Sequence, residues 1–341
     1  MSSSIQTVDT IRVPDAPQIP GLAFRTFRGP EDYPAMLAVI DGSKQADGIE
    51  RTDTLENIAR DYAHLTNCDP YRDTLFVEVD GDLAGYSRVW WWDEESGKRI
   101  FLHFSFLRSE WRETGIRLAM LHYSEKRLRE ISVEKPTDLP RFYESWASGT
   151  ETQWEALLAA EGYEGVRHGF DMVRPDLENI PDLPLPEGLE VRLTQPEQYR
   201  TVWQGAREAY RDEWGCLEEE WSDQRFESWK QEATFDPSLW QVAWDGDQVA
   251  GMVLTFIDEA ENEEYNRKRG YTEGICVRRP WRRQGLARAQ MARSFRVQKE
   301  RGMTETALGV DTQNPSGALQ LYESMGFRPV RRSTTYRKVM Q

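Results

Sequence analysis

The chain has 341 residues, 39% of them hydrophobic and 30% charged, with a formal charge of −15. No apolar stretch approaches the roughly 20 residues a membrane span needs, and the acidic balance opposes general nucleic-acid binding, which requires a dominant basic face. The length points to two domains of about 150 residues each, and against this acidic background any local basic cluster stands out.

Residues 1–20 carry neither a basic n-region nor an apolar h-region, so they read as a flexible lead to a cytoplasmic protein. Residues 175–186 hold four prolines in twelve positions, which predicts a semi-rigid linker at 175–187 between a domain at 21–174 and another at 188–341. The same landmarks occur on both sides of it, so the chain reads as an internal repeat. In the first copy, FVEVDGDLAGYSRV (76–89) predicts a hairpin turning at Asp-Gly. Trp90 to Trp92, Phe101, Phe104 and Phe106 follow as aromatic stripes, most simply sheet core or packing, with a shaped acceptor pocket as the sharper alternative. Next come Trp111, Arg112 and Gly115, and then LLAAEGY (157–163), a helix stopped by glycine before an aromatic residue.

The second copy repeats the hairpin as WQVAWDGDQVAGMVL (240–254) and the turn as Trp281, Arg282 and Gly285. Two acidic stretches precede that turn, 212–223 with six acids and 258–264 with five, neither holding a base. Each reads as a solvated face, and each also suits a cationic ligand. Residues 271–277 read as a strand, 286–301 as a helix with Gly302 beyond it, and 304–310 as another strand. Asn314 stands as an N-cap with Pro315 at the first helical position, and Ala318, Leu321, Tyr322 and Met325 share one face of the helix that Gly326 stops. Residues 328–339 supply a last strand. Cys68, Cys216 and Cys276 lack the paired spacing of a zinc site or disulfide framework, so no metal is implied.

The chemistry concentrates where strand 274–277 leads through Arg278-Arg279-Pro280-Trp281 into Arg282-x-x-Gly285-x-Ala287 at the start of a helix. A helix N-terminus carries unpaired amides and partial positive charge, and small residues there let a pyrophosphate approach the amides. Nine basic residues against one acid between Arg278 and Arg301 favour an anionic ligand. Followed by NPSGALQLYESMGF, the stretch GICVRRPWRRQGLARAQM resembles the GNAT superfamily of acetyl-CoA-dependent N-acetyltransferases.

The resemblance implies an α/β (mixed α+β) fold of two tandem GNAT-like domains, each a mixed, mostly antiparallel sheet flanked by helices. It implies acetyl-CoA as co-substrate, with pyrophosphate cradled by Arg282, Arg283, Gln284, Gly285, Leu286, Ala287 and Arg288. Ile275, Cys276 and Val277 would pair with the pantetheine arm, and Asn314, Ser316 and Gly317 would flank it. Tyr322 matches the family tyrosine that protonates the departing thiolate, and also reads as a core tyrosine. Beyond residue 187 there is no histidine, which leaves carboxylates as candidate bases, and Glu273 matches a position used by several family members. Cys276 has no histidine partner and reads as a small buried side chain.

In the first copy, Glu113 stands for Arg283, Arg117 for Ala287, Leu158 for Tyr322 and Thr150 for Asn314, so this copy reads as catalytically degenerate. His103 aligns with Glu273 and reads as a structural histidine. A tandem arrangement with a degenerate first copy is similar to the mycothiol synthases, which acetylate the amine of a cysteinyl sugar conjugate, although no substrate-reading residue is matched. The expected activity is direct transfer of acetyl from acetyl-CoA to a small-molecule primary amine in the C-terminal domain, with no nucleic-acid or membrane partner. A non-catalytic acetyl-CoA sensor or interaction protein stays open beside it, and no residue pattern specifies the oligomeric state or the acyl-chain preference.

Overall fold

The computed structural model describes residues 11–211, 213–215 and 221–341. The chain forms two compact units, one running to Val166 and including Thr334–Gln341, the other spanning Arg167–Ser333. The division thus falls before the proline-rich segment, and the last eight residues return to the first unit. Cys216 and part of the 212–223 acidic stretch lie outside the described residues, as do residues 1–10.

Unit 1 contains β1 (Leu22–Thr26), α1 (Tyr33–Asp47), α2 (Leu55–Ala63), α3 (Pro70–Asp73), β2 (Thr74–Val79), β3 (Asp82–Glu94), β4 (Lys98–Leu107), α4 (Ile116–Glu134), β5 (Arg141–Ser148) and α5 (Thr152–Ala160). Its strands run in the order β1-β2-β3-β4-β5, antiparallel except for the parallel pair β4 and β5. Alternation along β3 and β4 divides the side chains between two faces. Val89 and Phe101 pack with Leu121 and Leu128 of α4, while Phe76 and Tyr86 pack with Met36, Val39 and Ile40 of α1. Each of these fully buried side chains contributes about 1.5–3 kcal/mol of transfer free energy. From Ile11 on, the expected flexible lead is packed: Val13 is buried in the core beside Phe24, and the Ile11 N–H donates to the Phe24 carbonyl at 2.8 Å.

Unit 2 begins within β6 (Glu164–Arg174) and continues through β7 (Glu190–Val191), α6 (Tyr199–Tyr210), α7 (Asp223–Trp229), β8 (Gln241–Asp245), β9 (Gln248–Val253), β10 (Phe256–Ile257) and α8 (Glu259–Glu264). Then follow β11 (Arg269–Tyr271), β12 (Cys276–Val277), α9 (Leu286–Glu300), β13 (Glu305–Asp311), α10 (Ala318–Ser324) and β14 (Arg328–Val339). The proline-rich segment is no free spacer, because Leu177 is buried in this unit's core and the Pro181 carbonyl accepts from Arg296 at 2.9 Å. The repeat is visible in detail: the β2–β3 and β8–β9 hairpins shift register at matching places, between Val77 and Glu78 and between Ala243 and Trp244.

The terminal strands explain why the units depart from the expected boundaries. β6 pairs antiparallel with β13 through Gly169↔Asp311 to Arg174↔Thr306, which places residues 167–174 in unit 2. The end of β14 lies beside β5 in unit 1, where Arg337 donates from Nε to Glu144 Oε2 at 2.6 Å and also pairs with Glu94. All three side chains are buried. Arg337→Met strands two buried carboxylates, so it is expected to destabilise unit 1 by about 3–5 kcal/mol, read as an earlier urea transition of that unit.

Candidate active site

The site residues of unit 2 are arranged around an interruption between two parallel strands. β11 pairs with β13 up to Tyr271↔Ala307, and the Thr272 N–H still reaches the Ala307 carbonyl at 2.9 Å. Then the pattern breaks. The Gly309 N–H donates to the Glu273 side chain, Oε1 at 2.6 Å, and Gly274 takes a left-handed φ of +59. The single strand expected over 271–277 is therefore two short pieces. β12 pairs only with β9, through Cys276↔Met252 and Val277↔Gly251, and is the edge strand of its sheet. Ile275 sits in the break, and among the described residues one edge of Cys276 and Val277 is left without a neighbouring strand.

The turn that follows is braced by its own side chains. Arg282 donates from Nε to the Val277 carbonyl at 2.8 Å and from Nη2 to the Ala209 carbonyl at 3.2 Å. Gln284 donates to the Pro280 carbonyl at 3.2 Å. Arg283 is exposed, has a left-handed φ of +64 and makes no ion pair among the described residues. Gly285, at φ +86, is the N-cap of α9, and a Cβ built on it would meet nothing within 4 Å. The first bond closing the helix runs from the Ala289 N–H to the Gly285 carbonyl at 3.1 Å, so the amides of Leu286, Ala287 and Arg288 have no carbonyl four residues back within the helix. Leu286 is buried, while Arg288 points its Nη2 at Ser324 Oγ, 2.5 Å away.

The second motif differs from expectation at its start. α10 begins at Ala318 with Gly317 as N-cap at φ +78, and Asn314 lies three residues earlier in a turn. There its Oδ1 accepts from the Ser316 N–H at 2.9 Å and its carbonyl from the Gly317 N–H at 3.2 Å. Asparagine and proline thus open a turn, not the helix, because an Asx turn satisfies the same side-chain acceptor that an N-cap would use.

Tyr322 projects from α10 into the core, buried beside Phe327. It lies within electrostatic reach of Glu273, Glu213 and Cys276, and burial, first of all, raises its hydroxyl pKa, so it stays protonated at neutral pH. Burial likewise raises Glu273 to about 7, against the opposing hydrogen bond from Gly309. The Cys276 thiol is pushed up to about 12 by burial, which leaves it protonated and unreactive. Sequence reasoning missed Tyr210 as a member of this group. It ends α6, is influenced by Cys276, Glu213, Tyr322 and Glu273, and is itself raised by burial. Glu213, singled out only as part of an acidic stretch, accepts from Asn314 Nδ2 at 3.3 Å. The 258–264 stretch forms α8 with Asp258 as its N-cap, and its Glu261 is engaged by Arg267 and the Tyr271 hydroxyl.

Unit 1 has the same scaffold with a different filling. Arg112 donates from Nε to the Leu107 carbonyl at 3.2 Å, as Arg282 does to Val277, and Gly115 caps α4 at φ +86. Arg117 takes the place of Ala287. Its guanidinium is buried, donating to Ser105 at Oγ (3.4 Å) and at the carbonyl (3.3 Å), two residues before Leu107 as Ile275 is two before Val277. Arg117 therefore occupies the strand edge that unit 2 leaves open, and burial depresses its pKa to about 10. His103 is buried, bonded through Nε2 to the Tyr163 hydroxyl at 2.9 Å, and lowered by burial to about 3, so it is neutral and structural. Leu158, the counterpart of Tyr322, lies fully buried in the unit 1 core.

Known proteins resemble this chain in sequence and in fold. The profile of the acetyltransferase (GNAT) family matches residues 204–327, within unit 2. The matched segment carries the GNAT family signature, the fold is that of tandem GNAT proteins, and the chain is an N-acetyltransferase. It is similar to the mycothiol acetyltransferase of Thermobispora bispora, 27% identical over 304 residues covering 87% of this chain and 93% of that protein. It is similar also to that of Streptomyces coelicolor, 26% identical over 329 residues and 94% of each. Among solved structures, a GCN5-related N-acetyltransferase from Sphaerobacter thermophilus shares the fold with a TM-score of 0.70, 24% identity and coverage of 93% of this chain and 95% of that one. A tandem GNAT protein from the clavulanic acid biosynthesis pathway does so at 0.65 and 13%, over 93% and 98%. Among the described residues, no helix is long and apolar enough to cross a membrane, and no group of three or more His, Cys, Asp or Glu could hold a metal ion.

The raised Glu273 pKa has a consequence for stability. Its folded value, about 7, lies above the ordinary 4.5, so the folded state holds the extra proton between those values and loses stability as pH rises across that window. Glu273→Gln is expected to remove this loss, so that thermal melts of variant and wild type differ more at pH 8, in favour of the variant, than at pH 4.5.

Proposed function

We propose that unit 2 carries out acetyl transfer from acetyl-CoA to a small-molecule primary amine. The observation that carries the reading is the open strand edge at Ile275, Cys276 and Val277, beside a helix N-terminus with open space at Gly285 and a small side chain at Ala287, whereas unit 1 fills the same edge with Arg117. The pantetheine amides of acetyl-CoA suit a free strand edge, and a pyrophosphate suits unpaired helix amides. Arg283, free of any ion pair among the described residues, is suited to the phosphates, with Arg288 alongside. Arg282 acts through its grip on the Val277 carbonyl, holding strand and turn together. Asn314, Ser316 and Gly317 form the turn that flanks the other side of the arm.

Glu273, with a pKa near 7, accepts a proton from the ammonium of the acceptor, directly or through a water. The free amine nitrogen attacks the thioester carbonyl, forming a tetrahedral oxyanion that backbone amides near Val277 stabilise. When the intermediate collapses, the C–S bond breaks and the thiolate takes the Tyr322 hydroxyl proton, whose raised pKa keeps it available. The products are the amide and CoA, with the nitrogen's second proton passing to solvent. Carboxylates at Glu213 and Glu273 favour a cationic acceptor, and the likeness to mycothiol acetyltransferases supports one of small-molecule size.

Calorimetric titration of acetyl-CoA into wild type, Ala287→Arg, Gly285→Glu and Gly115→Glu tests the binding half. One site per chain is expected, lost in Ala287→Arg and Gly285→Glu and retained in Gly115→Glu. The two glycines share φ +86, so backbone strain is matched between the last two variants. Absence of binding to wild type would sink the reading, and binding without turnover of any amine in a broad screen would favour a sensor.

The catalytic half is tested by the pH dependence of kcat. It should rise through a pKa near 7, and Glu273→Gln should abolish that limb and lower kcat by about 10²–10⁴. Tyr322→Phe should lower kcat with little change in KM for acetyl-CoA. An unchanged pH profile in Glu273→Gln removes Glu273 from the role of base.

A further inference from the structure

The aromatic face of unit 1 takes no part in the reaction proposed above. Arg88 stands on β3 opposite Phe104 of β4, on the same face as Tyr86, Trp90 and Phe106. Its guanidinium carbon lies 5.1 Å from the ring centroids of both Tyr62 and Phe104 and 5.5 Å from that of Trp90. Trp146 of β5 extends the wall, 6.0 Å from Trp90 and 6.2 Å from Phe104, and is 44% exposed.

Arg88 is partly buried, and among the described residues no carboxylate pairs with it. Its Nε is buried and has no hydrogen-bond partner among the described residues. The contrast within unit 1 is sharp, since the buried arginines Arg25, Arg99, Arg117, Arg127 and Arg337 each hold a carboxylate. Nor are acids scarce in a chain with 58 of them against 43 lysines and arginines. A partly desolvated guanidinium without a counter-ion carries a cost, and ring faces offset only part of it. Rings contact the cation mainly through their faces, while the fork of N–H donors in the guanidinium plane matches a carboxylate.

We propose that this face binds a small aromatic carboxylate, its carboxylate paired with Arg88 and its ring packed on Trp90 and Trp146. The charge complement specifies an anion, and the exposed tryptophan beside it specifies a flat apolar body. The inference is independent of the acetyl-transfer reading, because every residue in it belongs to unit 1.

The test uses the full chain, with benzoate as probe and benzyl alcohol and benzylamine as controls of the same ring without the negative charge. Binding is followed by saturation-transfer NMR and tryptophan fluorescence in wild type, Arg88→Met, Trp146→Ala and Ala287→Arg. Saturable benzoate binding is expected in wild type and undiminished in Ala287→Arg, at least tenfold weaker in Arg88→Met and several-fold weaker in Trp146→Ala, with both controls weaker than benzoate. The proposal is overturned if wild type shows no saturable benzoate binding at millimolar concentration, if benzyl alcohol binds as tightly as benzoate, or if a folded Arg88→Met binds benzoate unchanged. Should Arg88→Met fail to fold, Trp146→Ala and benzyl alcohol decide: weaker binding in both supports the site, and unchanged binding in either overturns it.

Discussion

The hydrogen bond from the Gly309 amide to the Glu273 carboxylate is the constraint on which the candidate site depends. Parallel strands normally continue pairing until one of them turns away, and each further residue adds a backbone bond. Here a side chain takes the amide that a strand carbonyl would have taken, and the next residue, Gly274, leaves the extended conformation. β12 is therefore paired on one side only. Burial raises the pKa of that carboxylate toward neutrality, and the Gly309 hydrogen bond opposes the rise. One interaction thus sets the opening in the sheet and fixes the carboxylate beside it.

The two units show how little separates an open edge from a closed one. Each holds its turn by an arginine gripping the last strand carbonyl, and each starts the following helix at a left-handed glycine. The difference lies two residues into the turn's helix, where Ala287 leaves space and Arg117 reaches back to Ser105. A buried arginine there is held by hydrogen bonds and a carboxylate at Glu151, so closure of the edge is part of the stability of unit 1.

Much of this was legible locally. The hairpins follow from Asp-Gly between alternating apolar residues, and α9 from its glycine, small residues and apolar period. Glu273 and Tyr322 were singled out by the family resemblance, whose positions are counted locally from Val277 and Gly326. The break at 272–275 was not legible, since it depends on a carboxylate meeting an amide 36 positions away. Asn314 misled because N-caps and Asx turns use the same side chain in the same way. Tyr210 escaped notice because its neighbours come from three other segments of the chain.

The sequence by itself determined the repeat, the hairpin, turn and glycine-stopped helix of each copy, the basic turn before α9 and the loss of matching residues in the first copy, all of which rest on short-range pattern. Only the tertiary structure decided where each unit ends. Residues 167–174 pair with β13 of unit 2, while residues 334–341 join unit 1, where Arg337 meets Glu94 and Glu144. The proline-rich segment suggested a boundary, but chain composition marks where backbone is stiff, and membership of a unit is settled by which strands share hydrogen bonds and buried surface. Those partners lie more than a hundred residues apart, so no local pattern could name them.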